Sequence, residues 1–264
     1  MNELTLEQKE KLFADITATA DTSIRESKIQ LSDPMLNLSD MEFFNKYVKD
    51  VRWHPLQNHG LEEFHTPFHL ETADQDFPGQ VNAYLDLLHE IPTTPAKILD
   101  VGCGWGRGVD ILRKYYKVDV HGIDIQQPFI DYANKTYPGN KYFTDVDITD
   151  YNVLLFMDSM HLMFSHKFIN SIAQGTLLVV SDFFTPDTLE EFKNMIQIER
   201  FECVLEKDQT DAVMKAIVRD IDTLKARFKH IDKHIVNAYK HIQLNTLHQF
   251  KIGHTKQYKF VIKT

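Results

Sequence analysis

Cysteine is nearly absent: Cys103 and Cys203 are the only two in 264 residues, and they form no C-x-x-C pair. This excludes a disulfide scaffold and a thiolate zinc signature, and it favours a reducing compartment. Long apolar runs are missing too; none approaches the roughly 20 residues that span a bilayer. The segment Met1 to Lys11 mixes both charge signs and lacks the apolar stretch of a signal peptide. Basic charge is in deficit, with 29 Lys and Arg against 38 Asp and Glu and a formal net charge of −9. A nucleic-acid binder needs a cationic footprint to displace counterions from phosphate, so nucleic acid is a disfavoured partner. There is no internal repeat and no low-complexity linker. The expectation is a soluble cytoplasmic protein with no membrane partner.

What is present is ordinary globular material, 43 % hydrophobic and 25 % charged. That suits one α/β domain with additions, or at most two small domains. Residues 1–92 read as a helical, irregular cap. Thr5 with Gln8 and Ser39 with Glu42 fit capping boxes, and Leu31-Ser32-Asp33-Pro34 reads as a break. Val81, Tyr84, Leu85, Leu87 and Leu88 recur like one helix face between Gln80 and Ile91.

The period then changes. Lys97 to Val101 is a short apolar run opening into glycines, which reads as a buried strand leading to a helix over Val109–Tyr116. Further strands are predicted at Val118–Asp124, Lys141–Ile148, Asn152–Met157, Gly175–Ser181 and Gln257–Ile262. A helix fits Phe129–Tyr137, and Thr185 with Pro186 and Asp187 can cap another. Strands alternating with helices predict a Rossmann-like α/β fold over 93–264, with a doubly wound, mostly parallel sheet. A helical insert over about 184–250 precedes the last strands on this reading. Within it Ile221, Leu224, Phe228, Ile231, Ile235, Ala238 and Ile242 form a heptad seam. The seam fits a long helix packed on the domain, a lid, or a homodimer contact through the helix around 217–245.

The loop after the first strand runs Gly102-x-Gly104-x-Gly106. A dinucleotide fingerprint needs G-x-G-x-x-G, and Arg107 stands at its third glycine. Glycines there let a ligand approach the backbone closely. A pyrophosphate wants amide donors and a helix N-terminus, whereas Asp100 before the glycines would repel it and suit a cationic group. Asp124 ends the second strand about 20 residues on, where an acid accepts hydrogen bonds from ribose hydroxyls. Together these point to a nucleoside ligand with a positively charged end.

The run Leu99 to Gly108 resembles motif I of the class I S-adenosylmethionine-dependent methyltransferases, and Gly122-Ile123-Asp124 resembles their second-strand motif. Asp158-Ser159-Met160-His161 is similar to a stretch in the tocopherol, rebeccamycin and sarcosine methyltransferase group, where the His commonly falls one residue later. The resemblance covers roughly Pro95 to Phe184. It implies that Asp100, Gly102 and Gly104 cradle the methionine part, with Cys103 in the same loop. It places Asp124 on the ribose and Ile125 beneath the adenine. The adenine amino group would meet Asp147 with Ile148, or Asp145 with Val146. Cys103 by itself reads as a small packing residue or a reactive thiol.

Transfer of a sulfonium methyl needs a base only where the acceptor must lose a proton. His161 and Asp158 are the candidate catalytic residues, and His161 is the better base because an imidazole titrates near neutrality. The group His54, His59, His65 and His69 matches no standard metal spacing, so no metal site is expected; these side chains line the acceptor pocket or sit on the surface. The expected function is methyl transfer from S-adenosylmethionine to a small-molecule N, O or C acceptor, with S-adenosylhomocysteine as product. The alternatives are a protein or RNA methyltransferase, a cofactor-binding protein that catalyses a non-methylating cyclisation, and a nicotinamide oxidoreductase.

Overall fold

A computed structural model describes residues 60–62, 68–71, 78–89, 91, 97–160, 166–169, 171–199, 201–227 and 233–264. The chain divides into two compact units, one formed by 1–54 with 217–254 and the other by 55–216 with 255–264. The second unit contains the whole sheet. Its elements are helix α1 (Pro78–His89), strand β1 (Lys97–Val101), α2 (Arg107–Tyr116), β2 (Asp119–Ile123), α3 (Gln127–Thr136) and β3 (Lys141–Phe143). They continue with β4 (Val153–Met157), α4 (His166–Ile169), β5 (Leu177–Phe184), α5 (Pro186–Ile198), β6 (Glu202–Asp208), and, after helices α6 (Thr210–Arg227) and α7 (Lys233–Lys251), β7 (Lys256–Lys263).

The strands lie in the order β3-β2-β1-β4-β5-β7-β6. The pairs among β1 to β5 are parallel, and β7 runs antiparallel to both β5 and β6. Strands covered on both faces read as continuous apolar runs, and all five residues of β4 are buried. The core gathers Leu99, Leu154, Phe156, Phe192 and Phe260, with Phe192 and Phe260 ring centroids 5.1 Å apart. Strand order reverses between β1 and β4, whose pairing aligns Asp100 with Leu155. Ligands of open α/β sheets bind at the carboxyl ends of such a pair.

Several local expectations are met. Thr185 caps α5, accepting from Thr188 N at 3.2 Å, while Thr188 Oγ1 returns a bond from Thr185 N at 2.9 Å. Pro186 occupies the first turn, where its missing N–H costs nothing. Three elements differ from the sequence reading. The third strand stops at Phe143, because Asp147 caps a short 3-10 turn, Ile148–Asp150, through Thr149 N at 3.0 Å. The insert is not wholly helical: β6 lies within it, an edge strand that pairs with β7 through a bulge between Cys203 and Leu205. The heptad residues fall on α6 (Thr210–Arg227) and α7 (Lys233–Lys251), while Phe228 and Ile231 lie outside the described residues. The N-terminal capping boxes also lie outside them.

A buried ion pair ties α1 to β7. Lys259 Nζ lies 3.1 Å from Asp86 Oδ2, and Lys259 is fully buried. Among the described residues, no helix is long and apolar enough to cross a membrane.

Candidate active site

The end of β1 carries Asp100 into a fully buried position, and among the described residues neither of its carboxylate oxygens has a hydrogen-bond partner. Burial, with the nearby Asp124 charge second, pushes the Asp100 carboxyl up to about 7. An uncompensated buried carboxylate is costly, and a positively charged neighbour would remove the cost.

The chain leaves β1 through glycines in the left-handed region, with φ of +81° at Gly102, +51° at Gly104 and +81° at Gly106. Gly102 N and Cys103 N both donate to the Ile123 carbonyl, at 2.9 and 3.0 Å, which holds the loop against the end of β2. Asp124 closes the arrangement. Its Oδ2 accepts from Gly104 N at 3.0 Å and its Oδ1 from Gln126 N at 2.9 Å. Burial raises the Asp124 carboxyl, and these two backbone bonds pull it back.

The close helix approach that Arg107 denies to the dinucleotide pattern is made one residue later. A Cβ at Gly108 would lie 2.1 Å from the Tyr84 ring, so α1 and α2 meet there only because the side chain is absent. Arg107 instead pairs with Asp110 at 2.5 Å along its own helix. Cys103 is buried beneath the loop, and burial, with Asp100 and Asp124 beyond it, raises its thiol well above the ordinary value. It stays protonated and packs, since nucleophilic chemistry needs the thiolate.

Asp158 follows β4 with φ of +50°, a conformation uncommon for a residue with a side chain. Asp158 N donates to the Ser181 carbonyl at 2.8 Å, and its Oδ1 accepts from Gln257 Nε2 at 3.1 Å. Ser159 Oγ donates to the Val101 carbonyl at 2.6 Å and so ties the end of β4 to the end of β1. Asp100 and Asp158 both bear on Tyr84, whose hydroxyl burial first and then these charges hold in the neutral form. A cavity beside β4 is lined by Leu61, Met157, Asp158, Ser181, Gln209 and Gln257, with three further residues.

The structure therefore brings Asp100, Gly102, Cys103, Gly104, Asp124 and Asp158 to one end of the sheet. Ile125 is 89 % exposed beside them. Asp147 is exposed and bound to Thr149, whose hydrogen bonds hold its carboxyl below the usual range. Ile148 packs against the core. His161, His54, His59 and His65 lie outside the described residues, and His69 is exposed. Sequence reasoning missed Ser181, Gln209 and Gln257. No local motif marks them, because strand pairing assembles them.

Comparison with known proteins agrees with this geometry. Residues 98–179 match the family described as a methyltransferase domain. Phosphoethanolamine N-methyltransferase 3 of Arabidopsis thaliana is 25 % identical over 167 residues, 49 % of this chain and 33 % of that protein. The Triticum aestivum phosphoethanolamine N-methyltransferase is 26 % identical over 176 residues, 52 % of this chain and 34 % of its own length. The chain thus spans about a third of the curated relatives it matches. Among solved structures, the cyclopropane synthase MmaA2 of Mycobacterium tuberculosis aligns with a TM-score of 0.58 at 13 % identity, covering 86 % of this chain and 95 % of that one. An O-methyltransferase of a Brevibacillus brevis multienzyme, in complex with S-adenosyl-L-homocysteine, aligns at 0.52 with 16 % identity, covering 78 % and 83 %. Residues 98–179 thus resemble a methyltransferase domain, and the sheet that carries them shares its fold with these solved structures.

Proposed function

We propose that the chain transfers a methyl group from S-adenosylmethionine to a small-molecule acceptor, leaving S-adenosylhomocysteine. The observation that carries this reading is the Asp100 carboxylate, fully buried at the end of β1 beside the glycine loop and without a hydrogen-bond partner among the described residues. It fits the ammonium end of the methionine part. Gly102 and Gly104 give the backbone room there, and Asp124 keeps lone pairs for ribose hydroxyls while fixing the loop. Ile125 would lie beneath the adenine, and Asp147 with Ile148 would meet its amino group. Bound there, S-adenosylmethionine supplies a sulfonium methyl already activated for displacement. The chain then contributes mainly position, which is worth several kcal/mol of the barrier on its own. His161 is the proposed base for an acceptor that loses a proton, with Asp158 the second candidate.

The test is thermal unfolding with ligand. A compound that binds only the folded state stabilises by mass action, by about 2.7 kcal/mol at a hundredfold excess over Kd. S-adenosylhomocysteine is expected to raise Tm by several degrees, and NAD to leave it unchanged. A shift with NAD alone overturns the cofactor assignment.

A further inference from the structure

A line of buried polar side chains runs from α1 and β7 to the end of β4. At its far end Asp86 Oδ2 faces Lys259 Nζ at 3.1 Å. A carboxylate only accepts, so Gln209 turns its Nε2 toward Asp86, at 3.0 Å, and its Oε1 away. That Oε1 accepts a hydrogen bond from the Ser181 hydroxyl across 3.5 Å. With its proton committed, Ser181 Oγ is left to accept, and Gln257 Nε2 donates to it at 3.2 Å. The second hydrogen of the same Nε2 goes to Asp158 Oδ1 at 3.1 Å. The Gln257 amide is therefore oriented from both sides, with each N–H used.

Its carbonyl is what remains. Gln257 is 3 % exposed, and its Oε1 is buried with no hydrogen-bond donor among the described residues. Leaving such an acceptor unpaired forfeits the hydrogen bonds it would make in water. Gln257, Asp158 and Ser181 all line the cavity beside β4.

We propose that Gln257 determines specificity at this cavity, which has room for about one water-sized group, its Oε1 accepting a hydrogen bond from an N–H or O–H that the bound methyl acceptor extends into it. This rests on the methyltransferase reading above and narrows its substrate to amines that still carry hydrogen and to hydroxyl compounds. The chain from Lys259 to Gln257 fixes the polarity: the amide cannot turn to offer a donor without leaving Asp158 facing an oxygen. A site built to pair with a donor rejects an analogue lacking one far more strongly than an apolar pocket could.

The test uses the whole chain saturated with S-adenosylhomocysteine and titrated by NMR with two probe pairs. The tert-butylammonium ion is compared with tetramethylammonium, and isopropanol with acetone; each pair matches size and charge and differs in the donor. In at least one pair the donor-bearing probe is expected to bind about tenfold more tightly, the worth of one hydrogen bond. Gln257→Met is expected to remove that preference and keep the S-adenosylhomocysteine affinity. Equal affinities within both pairs, binding by no probe, or a preference that survives in Gln257→Met each overturn the proposal. Should that variant fail to fold, glutamine side-chain 13C signals of the unaltered chain decide. A buried carbonyl resonance moves with the donor-bearing probe alone if the proposal holds, and with both or neither if it does not. S-adenosylhomocysteine failing to bind while the donor preference stands would sink the cofactor reading and leave this site.

Discussion

Asp100 carries most of the electrostatic consequence at the scale of single residues. Its folded carboxyl lies at about 7 against an ordinary 3.8, so between those values the native state binds more protons than the unfolded one. Stability then falls as pH rises through that window and is flat above it. The three-unit gap corresponds to on the order of 2–4 kcal/mol. His121, whose burial lowers its imidazole, acts in the opposite sense over part of the range. The difference between two proteins isolates Asp100. Relative to Asp100→Asn, the unaltered chain is expected to lose several degrees of Tm between pH 5 and pH 8. Parallel Tm profiles would show that Asp100 is already compensated. Asp100 and Asp124 were legible in the sequence because the strand-end motif is local. Gln257 was not, because its partners Asp158 and Ser181 lie 99 and 76 residues away.

Between elements, the contact of α1 with α2 turns on one missing side chain. Alanine is favoured over glycine inside a helix by about 1 kcal/mol. At Gly108 the added Cβ would meet the Tyr84 ring at 2.1 Å, and overpacking of that kind costs about 1–3 kcal/mol. Gly108→Ala is therefore expected to lower stability, and Tyr84→Leu in the same chain to restore part of the loss. Denaturant melts of the double-mutant cycle check this; additive effects would mean that the two helices do not meet there. Elements were legible to the extent that they are buried. β4 and β5 are nearly continuous apolar runs and were read within a few residues of their true ends. β6 escaped because Glu202, Glu206, Lys207 and Asp208 leave it no apolar alternation. It is a strand because β7 offers it an edge.

For the molecule as a whole, the position of β7 outweighs its length. Lys256–Lys263 pairs with β5 along its whole length and with β6 on the other side, and it carries Phe260 into the core. Lys259, the partner of buried Asp86, leaves with it. Removing residues 256–264 is expected to abolish cooperative unfolding, measured as loss of the calorimetric transition. A truncated chain that still melts in one sharp step would show that the sheet closes without this strand.

The same placement has a bearing on the order of assembly. β5 and β6 are both made before the strand that joins them. Until β7 emerges, β5 presents an open apolar edge, the kind of surface on which chains pair with one another. Contacts between strands some 80 residues apart close slowly, since a long loop must be gathered before they repay its entropy. The interval between the synthesis of β5 and the arrival of β7 is thus when this chain is most exposed to aggregation, and when a chaperone would matter most.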